Sequence, residues 1–158
     1  SIIRIPFLTT IALAAAALAA GPALAQDAKP APKGKFDYGF AGLMARDNRA
    51  DLPDLLLSSG KPVHEGAIEL KSGTYYRIKI VSDGTAEMAL SGGDFFRSIW
   101  INEIVINDIE IRPMGVHSIE FDNAGTAVIS FVAITPGRYT LSIPGSSGES
   151  QQAVFNIQ

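Results

Sequence analysis

From Asp51 onward the chain is broken into short apolar runs by turn residues, and that punctuation constrains the fold more than any other feature. The runs "DLLL", "AIEL", "TYYRIKIVS", "WINEIVI", "IEI", "SIEF", "TAVISFVAI", "RYTLSI" and "AVFNI" are separated by Gly, Pro, Asn-Asp or Ser-rich segments. Turn signals recur about every 8 to 12 residues, the spacing of all-β sandwiches and barrels. In "TYYRIKIVS", Tyr76, Ile78 and Ile80 fall on one face and Arg77 and Lys79 on the other. That alternation predicts a half-buried strand. "TAVISFVAI" is nearly all apolar and predicts a central strand buried on both faces. Asn107-Asp108 predicts a tight turn between two strands whose apolar residues are Ile104, Ile106, Ile109 and Ile111. "TAEMALSGGD" reads as a polar connection. No stretch after residue 50 carries helical periodicity over more than two turns. The expectation is an all-β Greek-key sandwich or barrel of about 7 to 8 strands over residues 50–158.

Residues 1–49 differ in kind. Arg4, an Ala/Leu run, Gly21-Pro22 and then Ala23-Leu24-Ala25 have the n-region, h-region and small-x-small order of a secretory leader. Residues 5–25 carry no charge, and at about 1.5 Å per residue a helix of that length just crosses a bilayer core of about 30 Å. The leader is therefore read either as cleaved after Ala25 or as an uncleaved membrane anchor. The chain is placed in the periplasm, exported, with the inner membrane as its anchor if the leader stays. Residues 26–49 follow as an extended Pro/Ala/Lys linker and an aromatic arm with Phe36, Tyr38 and Phe40. One helical turn fits within the arm.

The formal net charge is −3 with both signs interspersed, which argues against a nucleic-acid partner. With no cysteine, disulfides, thiolate nucleophiles and thiolate metal sites are excluded.

Four stretches in order resemble the cupredoxin family: "IELKSGTYYRIKIVSDG", "FFRSIWINEIVI", "SIEFDNAGTAVISFVAITPGRYTLSIPG" and "AVFNI". The resemblance spans Leu55 to Gln158. It is carried most by Gly73 together with Pro136-Gly137-Arg138-Tyr139, and is closest to cupredoxin-like modules of periplasmic proteins, some linked to iron uptake. A blue-copper site needs two imidazoles and a thiolate, usually with a weak axial Met. The resemblance puts the thiolate four residues after Tyr139, at Ile143, which shares the inward parity of Tyr139 and Leu141. It puts the second His and the Met within Pro144 to Ala153, and the first His within Thr85 to Ile99. Neither segment contains an imidazole, and the first of them contains no thioether. The resemblance thus implies the scaffold without type 1 copper. No metal, catalytic residue or cofactor-binding residue is expected.

The remaining soft donors are His64, His117, Met114, Met88 and Met44. His117, Met114, Met88 and His64 are weak candidates for a copper site, because thioether and imidazole both suit copper. Core methionines and surface histidines explain them more simply. Asp47, Asp51 and Asp54 cluster but lack the Gly and terminal Glu of a calcium loop. Asp51 is expected to cap a turn before Pro53, and Glu103, Asp108 and Glu110 to form a solvated strand face. "GSSGES" has two glycines but opens no helix, and no nucleophile elbow or dinucleotide fingerprint occurs.

Phe95, Phe96, Arg97 and Trp100 fall where the resemblance puts the first copper ligand and its apolar rim, the docking face of the family. Aromatics and Arg are enriched at interface hot spots. With Phe36, Tyr38 and Phe40 they are the candidate partner-binding residues, although Phe95 and Trp100 also suit a barrel core. The expected function is a non-catalytic binding or accessory subunit of a membrane-associated redox complex, respiratory, photosynthetic or dehydrogenase. The alternative is periplasmic copper or iron handling through the Met/His set.

Overall fold

The structure, a computed structural model, describes residues 42–158. The leader, the linker and Phe36, Tyr38 and Phe40 lie outside the described residues. A single 3-10 turn at Arg46–Asn48 leads into the first strand.

Eleven strands and one short helix follow: β1 (Ala50–Asp51), β2 (Leu55–Leu57), β3 (Ala67–Leu70), β4 (Tyr75–Ser82), β5 (Met88–Ser91), α1 (Gly93–Arg97), β6 (Ile99–Ile106), β7 (Ile109–Ile111), β8 (Ser118–Phe121), β9 (Gly125–Ala133), β10 (Gly137–Ser142) and β11 (Gln152–Ile157). The first sheet runs β1-β4-β9-β6-β7, with β2 also on β4, and the second runs β3-β11-β10-β5-β8. β1 and β2 lie parallel to β4, and β3 lies parallel to β11; the other pairs are antiparallel.

The apolar periods determine what each strand buries. Tyr76, Ile78 and Ile80 of β4 point inward and are at most 2% exposed. β9 is central, between β4 and β6, and all of Ile129 to Ala133 is buried, as its continuous apolar run predicts. The second sheet contributes Ile68, Leu90, Leu141, Phe155 and Ile157. Fully burying such a side chain contributes roughly 1.5 to 3 kcal/mol, so the sandwich is held mainly by this layer.

The Pro136–Tyr139 stretch turns the chain from β9 into β10. The Tyr139 hydroxyl donates to the carbonyls of Thr135 (3.0 Å) and Pro136 (3.2 Å). Its ring therefore folds back over Gly137, where an added Cβ would lie 2.8 Å from the Tyr139 oxygen. The Gly is required by the Tyr.

Three segments depart from or add to the sequence reading. The "polar connection" after β4 contains β5, in which only Leu90 is buried. "FFR", given no element in the sequence reading, is the end of α1. Ile109 and Ile111 do not bury one face of β7: they are 64% and 43% exposed, because β7 is the outer edge of its sheet.

Candidate functional site

Ile143 follows β10 and packs half-buried against the core. Its N–H donates to the Gln151 carbonyl at 3.0 Å, and its own carbonyl accepts from the Ser146 N–H (3.2 Å) and hydroxyl. These bonds close the loop to β11 on itself. A branched alkyl group stands at the position that the resemblance gives to the thiolate, and it offers no lone pair to a metal.

The aromatic group lies elsewhere. The N–H groups of Ile134 and Thr135 donate to the Ser98 carbonyl at 3.1 and 3.0 Å, tying the end of α1 to the β9–β10 turn. That turn is the end of β10 opposite Ile143. Phe95 and Phe96 are 2% and 6% exposed. Phe95 stacks on Phe155 at 4.2 Å and meets Phe131 edge-on at 5.9 Å. Their apolar surface is spent in the core, which corrects the reading of Phe95 and Phe96 as partner contacts. Trp100 and Arg97 stay exposed, Trp100 at 53%. Trp100 stands opposite Val132 in the β6–β9 ladder. The exposed Ile134 lies two residues beyond Val132.

The four soft donors are seated apart. Met88 is half-buried on β5 opposite Phe121. His117 precedes β8, beside Ser91, whose hydroxyl lies 3.4 Å from His117 Nδ1. Met88 and Ser91 are three strand steps apart, about 10 Å at the usual rise of a β-strand. Met114 is fully exposed on the loop between β7 and β8. His64 sits on the β2–β3 loop, with Nδ1 3.1 Å from the Gly66 carbonyl, in a shallow depression beside Arg138, Glu149 and Gln152.

Several carboxylates are engaged. Asp51 does not cap a turn; it takes a bidentate pair from Arg77 at 2.6 and 2.9 Å. That hydrogen bonding holds the Asp51 carboxyl below its ordinary range and raises Arg77. Glu103 and Glu110 share Arg112, each at 3.3 Å. Sequence reasoning missed Glu87, Glu120 and Asp122, whose carboxylate oxygens lie within 4.8 Å of one another on the surface. The hydrogen bond to Glu120 raises Glu87, and the negative charges of Asp122 and Glu120 add to the shift. Nothing in the sequence pairs these residues, because β5 and β8 meet only in the folded sheet.

Among the described residues no helix is long and apolar enough to cross a membrane. No protein-family model matches the chain, and no curated protein matches it. Solved structures do. One described as the crystal structure of a multicopper oxidase aligns over 58% of this chain and 32% of its own, at 7% identity and a TM-score of 0.46. A copper nitrite reductase from Nitrosomonas europaea aligns over 59% and 33%, at 14% identity and 0.47. A copper-containing nitrite reductase from Thermus scotoductus aligns over 58% and 22%, at 18% identity and 0.45. The chain spans about a third or less of the length of those chains. Likeness at this level bears on neither metal nor activity. The two-sheet Greek-key order, with its parallel β2–β4 and β3–β11 pairs, is that of a cupredoxin-like fold.

Proposed function

We propose that the domain is a non-catalytic binding module that works by docking onto a protein partner, without type 1 copper. The observation that carries this reading is the apolar side chains left uncovered along the β6–β7 side of the first sheet. Ile109 is 64% exposed, Trp100 53% and Ile111 43%. Single exposed hydrophobics need no explanation, but two isoleucines on one face of an edge strand favour an interaction surface; Trp100, paired with Val132 rather than with the row of Ile104 and Ile129, is exposed on the opposite face of the sheet. β7 is also an edge strand, with backbone groups open to pairing. Ile143 supports the copper-free part of the reading, since the thiolate position holds an alkyl group.

The partner class proposed is a subunit of a membrane-associated redox assembly on the periplasmic side, respiratory, photosynthetic or dehydrogenase. This rests on analogy with the electron-carrier use of the scaffold. The test is affinity capture of the full tagged chain from detergent-solubilised membranes, beside an Ile109→Asp/Ile111→Asp variant and Trp100→Asp, which alters the other face of the sheet. Subunits of one redox assembly should be enriched with the wild type, depleted about tenfold with the isoleucine variant, as for loss of an anchoring apolar contact, and retained with Trp100→Asp. Recovery of the bait alone, or of the same proteins with every variant, overturns the proposal.

A further inference from the structure

In the second sheet β10 and β5 are joined by one pair only, Ser142 opposite Ser91. β5 ends there, and α1 takes its place beside the start of β10. Phe95 and Phe96 fill its inner side. Its outer side remains an open groove of about 910 Å³, whose lining includes Ser91, Arg97, His117, Arg138, Thr140 and Ser142. The parity of β10 puts Arg138, Thr140 and Ser142 on the outer face, alternating with half-buried Tyr139 and buried Leu141.

The shape of the groove depends on two adjacent glycines. A Cβ on Gly92 would lie 2.3 Å from the Thr140 carbonyl oxygen, so only glycine lets the chain approach β10 this closely. A Cβ on Gly93 would lie 3.2 Å from His117 Cδ2. The imidazole edge is thereby held against the groove floor, while Ser91 holds Nδ1.

The charges are unbalanced. Arg77 and Arg112 are spent on carboxylates. Arg49 donates to Ser130 at 3.4 Å and lies over the Tyr75 ring. Among the described residues Arg97 and Arg138 have neither an ion pair nor a side-chain hydrogen bond, and both line this groove. Asp94 is the only carboxylate on it, and it has no side-chain bond to His117 or Arg97 among the described residues. Each guanidinium is a planar fork of five donors that fits a carboxylate or phosphate edge. Two such forks, an imidazole and three hydroxyls far exceed what one Asp can satisfy. A volume of this size suits an organic molecule rather than a bare inorganic ion.

We infer that the groove binds a small organic polyanion, a molecule bearing two or more carboxylate or phosphate groups, gripped by Arg97 and Arg138. His117, Ser91, Thr140 and Ser142 supply further donors. Asp94 opposes binding and sets its strength.

The test is calorimetric titration of the full chain at low ionic strength with citrate and with fructose 1,6-bisphosphate, which separate carboxylate from phosphate chemistry. At least one probe should saturate. Arg97→Gln/Arg138→Gln should weaken it about tenfold or more, as expected for loss of charge-assisted forks. Asp94→Asn should tighten it severalfold, a gain that a merely structural role would not produce. Both arginines are exposed, so the variants should melt with the wild type. If the double variant does not fold, the single variants and the Asp94→Asn gain carry the test. Absence of saturation by about 10 mM means only diffuse counter-ion accumulation and overturns the proposal. So does equal weakening by Lys79→Gln, a charge on the other sheet, or binding of a glutamate-rich peptide when neither small anion binds.

Discussion

Asp83 shows how one exposed residue can hold three segments together. Its carboxylate accepts the Ser58 hydroxyl, the Thr85 hydroxyl at 2.6 Å and the Thr85 N–H at 3.0 Å. Its own N–H donates to the Leu57 carbonyl at 3.2 Å. The end of β2, the end of β4 and the loop into β5 therefore meet at one side chain. These bonds, that from Ser58 first, favour the charged form and push the carboxyl down from 3.8 to about 2. A carboxyl depressed in the folded state contributes stability above its unfolded value, and that contribution is lost as pH falls through the folded value. The Asp83 contribution should thus be complete at neutral pH and disappear between about pH 4 and 2. Asp83→Asn should melt lower than the wild type at pH 7, and the gap should close as pH falls to 2. Thermal melts across that range check this; parallel curves would remove Asp83 from the account. The residue was legible in the sequence only as the start of an Asp-Gly turn. Ser58 is 25 residues away, and no local pattern reveals a partner at that distance.

At the scale of elements, the β6–β7 hairpin is the clearest case of a turn written in its residues. Asn107 and Asp108 have φ of 49° and 63°, the double left-handed conformation of a two-residue hairpin turn. Asn and Asp tolerate it, and Gly at the second position suits it better. Asp108→Gly should therefore stabilise the domain by about 0.5 kcal/mol, less than the full relief because glycine also loosens the unfolded chain. Urea denaturation reads this directly, and a loss of stability would show that the Asp side chain contributes more than its backbone costs.

Other elements divide by how much of their environment is local. β4 and β9 were legible because each carries its burial in its own period. β5 was not, since it buries Leu90 alone and touches β10 at one residue. α1 is five residues long, and its buried side chains are the neighbours Phe95 and Phe96, so no helical period can develop. Ile109 and Ile111 alternate correctly, but alternation says nothing about whether the facing sheet reaches far enough to cover them.

For the whole molecule, the fold was more legible than its surfaces. The Pro136–Tyr139 corner and Ile143, close in sequence, carry the resemblance and place an alkyl group where it gives the thiolate. The groove joins Arg97 to Arg138 and His117 from separate segments, and only the fold, with α1 following β5 beside β10, brings them together. Its wall depends in turn on the core. Phe95 stacks on Phe155 from β11, meets Phe131 from β9, and lies 5.7 Å from Phe96. One ring thus joins α1 to both sheets, and two residues later in the same helix Arg97 faces the groove. Phe95→Ala should cost about 3 to 5 kcal/mol, since it removes a large side chain and leaves a cavity where both sheets and the helix meet. Phe95→Leu should cost less, because much of the volume is kept. In both variants α1 loses its seat before the strands lose theirs: it has little hydrogen bonding of its own, whereas β9 and β11 keep their ladders. Hydrogen exchange should then show residues 93–97 opening at a lower free energy than β9 in Phe95→Leu. Uniform loss of protection would mean that the helix unfolds only with the sandwich, and that the groove wall is as rigid as the core beneath it.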